Sequence, residues 1–317
     1  MLTDELSIEI GEQMFHFATI TDEQIRGLQI SPQECVEWAK MAFLAKKGSL
    51  LPHKSCMRPT ADSFFTAMPC CIPSLGYVGV KVISRIPGNE PSLKSTITLC
   101  DTTTGDLRAL LDGCWITSMR TGATATLAAK LFANDFSSAV FGLVGMGNAG
   151  RALLKCLLSV CDRPVDVWLL EYKGRASVFA NEFKCFGNAR FHIATTRQEL
   201  VDNTTVLFSC VTVMNEQFLP PSCYPPGYTC IPVHTKGFQD CDSVFDHVFG
   251  DDLEHIRCFD HFSDFRSFAE VGEVLSGHMP GRLSSRERIL SYNVGIALLD
   301  VWFASKIYDK LRVEERL

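Results

Sequence analysis

The stretch that most constrains this chain runs from Val140 to Leu154 and reads VFGLVGMGNAGRALL. An apolar run typical of a strand leads into three glycines spaced G-x-G-x-x-G, and an apolar run typical of a helix follows. The loop contains Gly145, Gly147, Asn148, Ala149 and Gly150. Glycines at this spacing permit a tight turn and a close approach of the backbone to a pyrophosphate, and the helix directs its first amides at the phosphate. The stretch predicts a dinucleotide-binding unit; a purely structural glycine-rich turn is the alternative.

The next predicted strand, VDVWLL (165–170), ends at Glu171, about 20 residues beyond the last glycine. An acidic side chain at this position accepts hydrogen bonds from the ribose hydroxyls of NAD. Its carboxylate repels the 2′-phosphate of NADP, so the sequence favours NAD. Lys173 and Arg175 follow closely, and NADP is therefore not excluded.

From residue 139 onwards the chain alternates between predicted strands and predicted helices. The strand candidates are 139–144, 165–170, 191–194, 205–210 and 228–233, and the helical stretches are 149–160, 174–186 and 197–202. Such an alternation predicts an α/β fold with a parallel, doubly wound sheet.

The residues before this region read as a separate α+β layer. Ser31-Pro32-Gln33-Glu34 predicts a helix start. YVGVKVIS (77–84) predicts a strand, and 95–112 predicts two strands around a Thr-Gly turn. A helix is expected over 116–133, opening at Thr117 or Ser118, and a long amphipathic helix over 288–311.

Composition excludes several classes of protein. The net charge is −6 and basic stripes are absent from the sequence, so nucleic acid is not an expected partner. Apolar runs stop short of the roughly 18 residues that a membrane helix needs, and the acidic N-terminal sequence does not resemble a signal peptide. The 14 cysteines include no C-x-x-C pair, which favours a reduced, cytoplasmic protein. The segment 251–265 contains His255 and His261 without metal-ligand spacing, so no metal site is predicted.

Several blocks together resemble the ornithine cyclodeaminase/mu-crystallin family. They read LLDGCWITSMRTGATATLAAKLFA (110–133), GVKVISRIPGN (79–89), GEVLSGHMPGR (272–282) and NVGIALLD (293–300). The resemblance implies a Rossmann dinucleotide domain, residues 119–292, inserted into a substrate and dimerisation domain made of residues 1–118 and 293–317. It also implies a homodimer and a small amino acid, or its imine, that faces the nicotinamide.

Three basic residues match the family's substrate-binding positions: Arg58, Lys81 and Arg120. The resemblance implies that Arg58 and Arg120 bind the substrate carboxylate, for which a guanidinium is well shaped, and that Lys81 lies beside the reacting carbon. Lys81 also interrupts an apolar strand. Arg120 and Thr121 are candidates for contact with the cofactor, as is Thr212 after the fourth strand. Asp112 and Asp300 match family positions, with capping or domain-joining as alternative roles.

The chain departs from the family after the fifth strand, where cyclodeaminases carry a proton-transferring aspartate. Here the sequence is IPVHTKGFQDCD (231–242), which puts Lys236 at that position and His234 two residues earlier. His234 is a candidate for moving the amine proton. Lys236 is expected either to be desolvated and neutral or to bind a second carboxylate. In another alignment Asp240 or Asp242 supplies the acid.

These residues favour an NAD(P)-dependent oxidoreductase that acts on the C–N bond of an amino acid or an N-substituted, opine-like amino acid. Hydride transfer at the α carbon would give an imine. A cationic Lys236 would repel the distal ammonium of ornithine. Ornithine cyclodeaminase is therefore the second choice among the enzymatic functions. A mu-crystallin-like protein that binds NADPH and a small ligand without turnover is the alternative outside enzymes.

Overall fold

The computed structural model describes residues 5–10, 13–212, 214–239 and 243–314. The described residues divide into two units. The first comprises those of Met1–Glu34, Met41–Arg120 and Ile296–Leu317, and the second those of Cys35–Lys40 and Thr121–Gly295. The sequence places the two main boundaries two and three residues earlier, and it does not assign Cys35–Lys40 to the second unit.

Fifteen strands are found among the described residues. They are β1 (Glu5–Ile10), β2 (Gln13–Ile20), β3 (Ser55–Met57), β4 (Phe64–Ile72), β5 (Tyr77–Arg85), β6 (Leu93–Asp101), β7 (Leu107–Asp112), β8 (Phe141–Val144), β9 (Val165–Leu170), β10 (Ala189–Ala194), β11 (Val206–Ser209), β12 (Thr229–Pro232), β13 (His247–Gly250), β14 (Phe268–Glu270) and β15 (Ile289–Tyr292).

The α-helices are α1 (Asp22–Gly27), α2 (Pro32–Ala45), α3 (Cys114–Phe132), α4 (Asn148–Ser159), α5 (Arg175–Glu182), α6 (Arg197–Asp202), α7 (Leu253–Ile256), α8 (Val271–Leu275) and α9 (Ala297–Val313). The predicted start of α2 is confirmed, because the Ser31 hydroxyl accepts a hydrogen bond from the Glu34 amide. None of the helices in the described part of the chain is long and apolar enough to cross a membrane.

The first unit contains a sheet in the order β1-β2-β7-β6-β5-β4-β3. Neighbouring strands are antiparallel, apart from the parallel pair β2 and β7. Helix α9 packs across β4, β5 and β6. A Cβ atom at Gly79 would lie 2.7 Å from the Val301 side chain, so the glycine in β5 permits this close approach.

The second unit contains a sheet in the order β10-β9-β8-β11-β12-β15-β13-β14, and all of its neighbouring strands are parallel. Helices α4, α5 and α6 connect the successive strands β8, β9, β10 and β11, as the alternation in the sequence predicts. The predicted α/β fold, with a doubly wound parallel sheet in one unit and an α+β arrangement in the other, is confirmed.

Two boundary predictions are wrong. Helix α3 begins at Cys114 rather than at Thr117 or Ser118, because the Asp112 carboxylate accepts a hydrogen bond from the Cys114 amide at 2.7 Å and starts the helix earlier. The expected single helix over 288–311 is in fact strand β15 followed by helix α9. Gly295, with φ of 85°, separates the two elements, and β15 is buried between β12 and β13.

Candidate functional site

Lys81 lies in the middle of β5, on the sheet face that packs against α9. Its register partners are Met68 on β4 and Ile97 on β6, both buried. The Lys81 side chain is itself fully buried, and its Nζ atom donates a hydrogen bond to Oδ1 of Asp300 at 2.9 Å. A lysine in such surroundings needs a partner for its charge, and α9 supplies that partner.

Arg120 meets the same carboxylate from α3. Its Nε atom donates to Asp300 Oδ1 at 3.0 Å, and the residue is only 8% exposed. The structure therefore brings two of the three predicted substrate-binding residues together around one acid. With Lys81 protonated, the cluster of Lys81, Arg120 and Asp300 holds two cations and one anion in a buried place.

The environment of Lys81 makes its ammonium easier to deprotonate than an exposed one. Burial lowers its pKa most, Asp300 opposes this effect, and the neighbouring Arg120 cation adds to it, so that the resulting pKa is about 8. A lysine with a pKa near neutrality can both give and take a proton at physiological pH. The cluster thus combines two neighbouring buried cations, one of which is suited to proton transfer.

Arg58 is not part of this buried cluster. It lies exposed directly after β3. Met57 pairs with Phe65, whereas Met68 pairs with Lys81. If the β3 register is continued by one residue, Arg58 is displaced from Lys81 by about 13 Å along the strand direction, at roughly 3.4 Å per residue. Its predicted contact with a carboxylate remains a prediction.

The role of Asp300 was not singled out by the sequence, which left capping or domain-joining open. Asp112 does cap α3, but Asp300 pairs with the two predicted cations. The available signal was a lone acid in the apolar run IALLDVWFA, matched by a lone lysine in the apolar strand VGVKVI. Buried charges of opposite sign on apolar elements tend to pair.

The glycine loop in the second unit connects β8 to α4. Gly145 has φ of 92°, and a Cβ atom there would lie 2.6 Å from the Cys210 carbonyl carbon. A Cβ atom at Gly150 would clash with the Gly145 carbonyl oxygen. By contrast, the space around Gly147 is open within 4 Å, and this residue is the N-cap of α4 without a side-chain cap.

This loop fits a dinucleotide. Residues Asn148, Ala149 and Gly150 form the first turn of α4, where backbone amides lack partners within the helix. The open side at Gly147 lets a phosphate approach the backbone, as helix N-termini that bind phosphate require. Two glycines serve the turn and the packing, and the third leaves room for the ligand.

Glu171 lies directly after β9, where the ribose-binding acid was predicted. Its amide donates to the Ala194 carbonyl at 2.8 Å. Its Oε1 atom is buried and has no hydrogen-bond partner among the described residues. A buried carboxylate oxygen without a donor is suited to accept one from a ribose hydroxyl. Lys173, with φ of 55°, and Arg175 are both exposed.

The two threonines predicted near the cofactor are differently exposed. Thr121 is half-buried in α3, and Thr212 is exposed after the end of β11. The Cys210 amide donates to the Val144 carbonyl at 2.7 Å, so the segment leading to Thr212 leaves the sheet beside the glycine loop. Both roles remain predictions.

His234 lies at the same edge of the second sheet. Its Nε2 atom is 2.7 Å from Oγ of Ser209, which ends β11 and pairs with Val144 of β8. Burial lowers the pKa of His234 to about 4, so the ring is neutral at pH 7. This low pKa weakens the expectation that His234 moves the amine proton, because a general base works best with a pKa near the operating pH.

Lys236 is exposed, which corrects the expectation that it is desolvated and neutral. Chain direction explains the difference, because the loop turns outward after His234 while Gly237 and Phe238 return to the interior. Asp240 and Asp242, the alternative acids, lie outside the described residues.

The histidines of segment 251–265 pair with nearby acids. His255 Nδ1 is 2.6 Å from the Asp252 carboxylate, which caps α7, and His261 is 3.2 Å from Asp264. Within the described part of the chain, no group of three or more His, Cys, Asp or Glu side chains is arranged to hold a metal ion.

The second unit has a Rossmann-type dinucleotide loop, and the first unit has a buried basic cluster. These features define an α/β protein of a dinucleotide-binding class. Comparison with known proteins gives the family: the chain belongs to the ornithine cyclodeaminase/mu-crystallin family, whose sequence profile matches residues 30–220.

Three similar proteins illustrate the likeness. A Δ1-pyrroline-2-carboxylate reductase from Bacillus cereus is 23% identical over 304 residues, covering 89% of this chain and 93% of that protein. The Thermococcus litoralis Δ1-pyrroline-2-carboxylate reductase, solved with NADH and L-proline, has a TM-score of 0.83 at 23% identity and covers 94% of this chain and 98% of that one. An archaeal alanine dehydrogenase dimer with bound NAD has a TM-score of 0.82 at 22% identity, and the match covers 94% of this chain and 97% of that one.

Proposed function

We propose that this protein is an NAD-dependent oxidoreductase that interconverts a small α-amino acid and its imine by hydride transfer at the α carbon. The observation that carries the proposal is the pairing of two buried cations, Lys81 and Arg120, on one oxygen of Asp300. A guanidinium is well shaped to bind a carboxylate. Lys81 and Arg120 side by side therefore suit the carboxylate and the nitrogen of a small amino acid.

The glycine loop and Glu171 support NAD as the cofactor. The amides at the start of α4 would hold the pyrophosphate, and the buried Oε1 atom of Glu171 would accept from the ribose. When bound, the nicotinamide supplies or accepts the hydride. The similar protein from Bacillus cereus is named a Δ1-pyrroline-2-carboxylate reductase, and one similar solved structure is an alanine dehydrogenase with bound NAD.

Within this proposal the chain's own residues divide the work. Arg120 binds the substrate carboxylate, with Arg58 as an additional predicted contact. Lys81 exchanges a proton with the substrate nitrogen, because its pKa of about 8 lets it act in both directions. His234 is a weaker candidate for this role, because a pKa of about 4 makes its ring a poor base at pH 7.

Turnover of a substrate panel tests the proposal. Absorbance at 340 nm is followed with Δ1-pyrroline-2-carboxylate and NADH or NADPH in reduction, and with proline, alanine, ornithine and N-carboxyalkyl amino acids and NAD or NADP in oxidation. Products are identified by mass, because cyclodeamination of ornithine returns the hydride and leaves the absorbance unchanged. Turnover of a cyclic imino acid, an α-amino acid or an N-substituted amino acid supports the proposal. Proline formed from ornithine would instead identify a cyclodeaminase. NADPH binding without any turnover would contradict the proposal and support a binding protein.

The proposal includes a homodimer formed through the first unit's sheet. Several apolar side chains lie on the sheet face opposite Lys81, with Met57 60% exposed and Val82 44% exposed. Exposed apolar patches of this kind mark interfaces, and a structural neighbour is a dimer. Light scattering after size-exclusion chromatography should give twice the 35.2 kDa chain mass. Val82→Glu should give monomers, and a monomeric parent protein would refute this part.

We also assign the protein to the cytoplasm. None of the 13 described cysteines is joined in a disulfide, as expected in a reducing compartment. Localisation of a fluorescent fusion tests this, and a secreted or organellar signal would overturn it.

A further inference from the structure

Asp300 occupies an unusual position on α9. The residue lies in the first turn of the helix, within an apolar run, and it is fully buried. One of its carboxylate oxygens, Oδ1, accepts from both Lys81 and Arg120. The other, Oδ2, is buried without a hydrogen-bond partner among the described residues. The carboxylate is thus not used as a helix cap or a surface ion pair.

Sharing one oxygen fixes the two cations relative to each other. The Lys81 Nζ atom lies 2.9 Å and the Arg120 Nε atom 3.0 Å from the same acceptor. Lys81 comes from a strand, Arg120 from α3 and Asp300 from α9, so three elements meet at this atom.

We propose that Asp300 is the positioning residue of this site: it holds Lys81 and Arg120 side by side and keeps Lys81 able to carry a proton at neutral pH. The inference rests on the proposed function for the identity of the substrate that the site binds. The titration of Lys81 does not depend on that function.

The other groups facing Lys81 do not replace Asp300. The Cys70 thiol on β4 has its pKa raised to about 12 by burial, the neighbouring Cys71 and Asp300, and burial also raises the pKa of the Cys114 thiol on α3. Both thiols are therefore neutral at physiological pH. Ile97 on β6 is apolar. Asp300 is the anion that offsets the effects of burial and of Arg120 on Lys81.

The test is Asp300→Asn, which keeps an oxygen acceptor of the same shape and removes the charge. Lysine labelled with 13C at Cε reports the Lys81 titration by NMR in the full chain, with Lys81→Met assigning the signal. We expect the Lys81 midpoint to fall by about 1–3 pH units, the usual effect of losing a nearby opposite charge. The pH profile of kcat/KM for Δ1-pyrroline-2-carboxylate and NADH should shift in the same direction by a similar amount.

Asp309→Asn is the matched control. Asp309 lies on the same helix and accepts from the Tyr77 hydroxyl at 2.9 Å, away from Lys81, so the Lys81 midpoint should not move. Arg120→Met is a second variant with the opposite sign: removing the cation should raise the Lys81 midpoint. It keeps the inference testable if Asp300→Asn does not fold.

The outcomes are separable. A Lys81 midpoint that is unchanged in folded Asp300→Asn, or that does not rise in Arg120→Met, overturns the inference even if the wild-type protein turns over imino acids. Midpoints that move as expected in a protein without turnover on any substrate support the positioning role and refute the proposed function.

Discussion

At the scale of single residues, the site depends on charges that only the folded chain brings together. Lys81 and Arg120 are both predictable candidates, but their common partner lies 219 and 180 residues away in sequence. Removing one member of a buried ion pair typically costs about 3–5 kcal/mol. The three side chains should therefore tolerate little change in charge.

Lys81→Met should abolish proton transfer while leaving the nucleotide site intact. Losing a general acid–base group typically lowers the rate by about 10²–10⁴-fold, so we expect kcat/KM for imine reduction to fall within that range. NADH affinity, measured by fluorescence titration, should not change, because the glycine loop belongs to the second unit. Lys94→Met on neighbouring β6 is exposed and serves as the control. Retention of full activity in Lys81→Met would refute the assigned role.

His234 should make stability fall in acid. Burial lowers its pKa from 6.5 to about 4 in the folded state. In this window the unfolded chain binds a proton that the folded chain does not, so the free energy of unfolding decreases as pH falls from 6.5 to about 4.

Urea unfolding at several pH values measures this effect of His234. We expect the pH dependence to be weaker in His234→Gln than in the wild-type protein. His261→Gln, at an exposed position, should behave like the wild type. Identical pH dependence in all three proteins would contradict the burial of His234.

At the scale of elements, short-range sequence patterns predicted those helices, strands and turns that depend on glycine positions or on the alternation of apolar residues. The strand–loop–helix unit around Gly145 follows from backbone freedom at three positions, and strand β5 follows from its apolar residues. The strand β15 was missed because the four residues ILSY, next to a long apolar helix, look like one more helical turn. Its strand conformation comes from neighbours β12 and β13, which sequence spacing does not reveal.

The three glycines of the loop should differ in what they support. Gly150→Ala places a Cβ atom against the Gly145 carbonyl oxygen, so we expect a loss of about 1–3 kcal/mol in stability and a lower Tm. Gly147→Ala has open space around it, so its Tm should stay the same while the Kd for NADH rises about tenfold or more.

Gly27→Ala, also in open space, controls for the substitution itself. Equal NADH affinity in Gly147→Ala and the wild-type protein would show that the phosphate does not approach the loop at this residue.

At the scale of the whole molecule, the first unit is built from segments far apart in the chain. Strands β1 to β7 form its sheet, and α9 comes from the other end of the chain. Only the family resemblance implied a discontinuous first domain, whereas composition and periodicity predicted only the separate layers. Neither the family resemblance nor the sequence patterns predicted the partner of Lys81, because that partner depends on which turn of α9 faces β5.

Ending the chain at Gly295 should therefore disrupt the first unit. The truncation removes α9, exposes the sheet face that carries Lys81 and leaves Lys81 without Asp300. We expect aggregation and strong binding of a hydrophobic dye. A chain ending at Val313, where α9 ends, should remain folded by circular dichroism. A soluble protein truncated at Gly295, with native Tm and no dye binding, would contradict the role given to α9.

The separation of Lys81 from Asp300 also has a consequence for synthesis. Translation proceeds at about 5–20 residues per second, so the 219 residues between them take roughly 10–40 s to make. During that time Lys81 and Arg120 lack their carboxylate, and the second sheet lacks its inner strand β15, which ends only eight residues before Asp300. The buried charges of one unit and the sheet of the other are thus completed at nearly the same moment of synthesis.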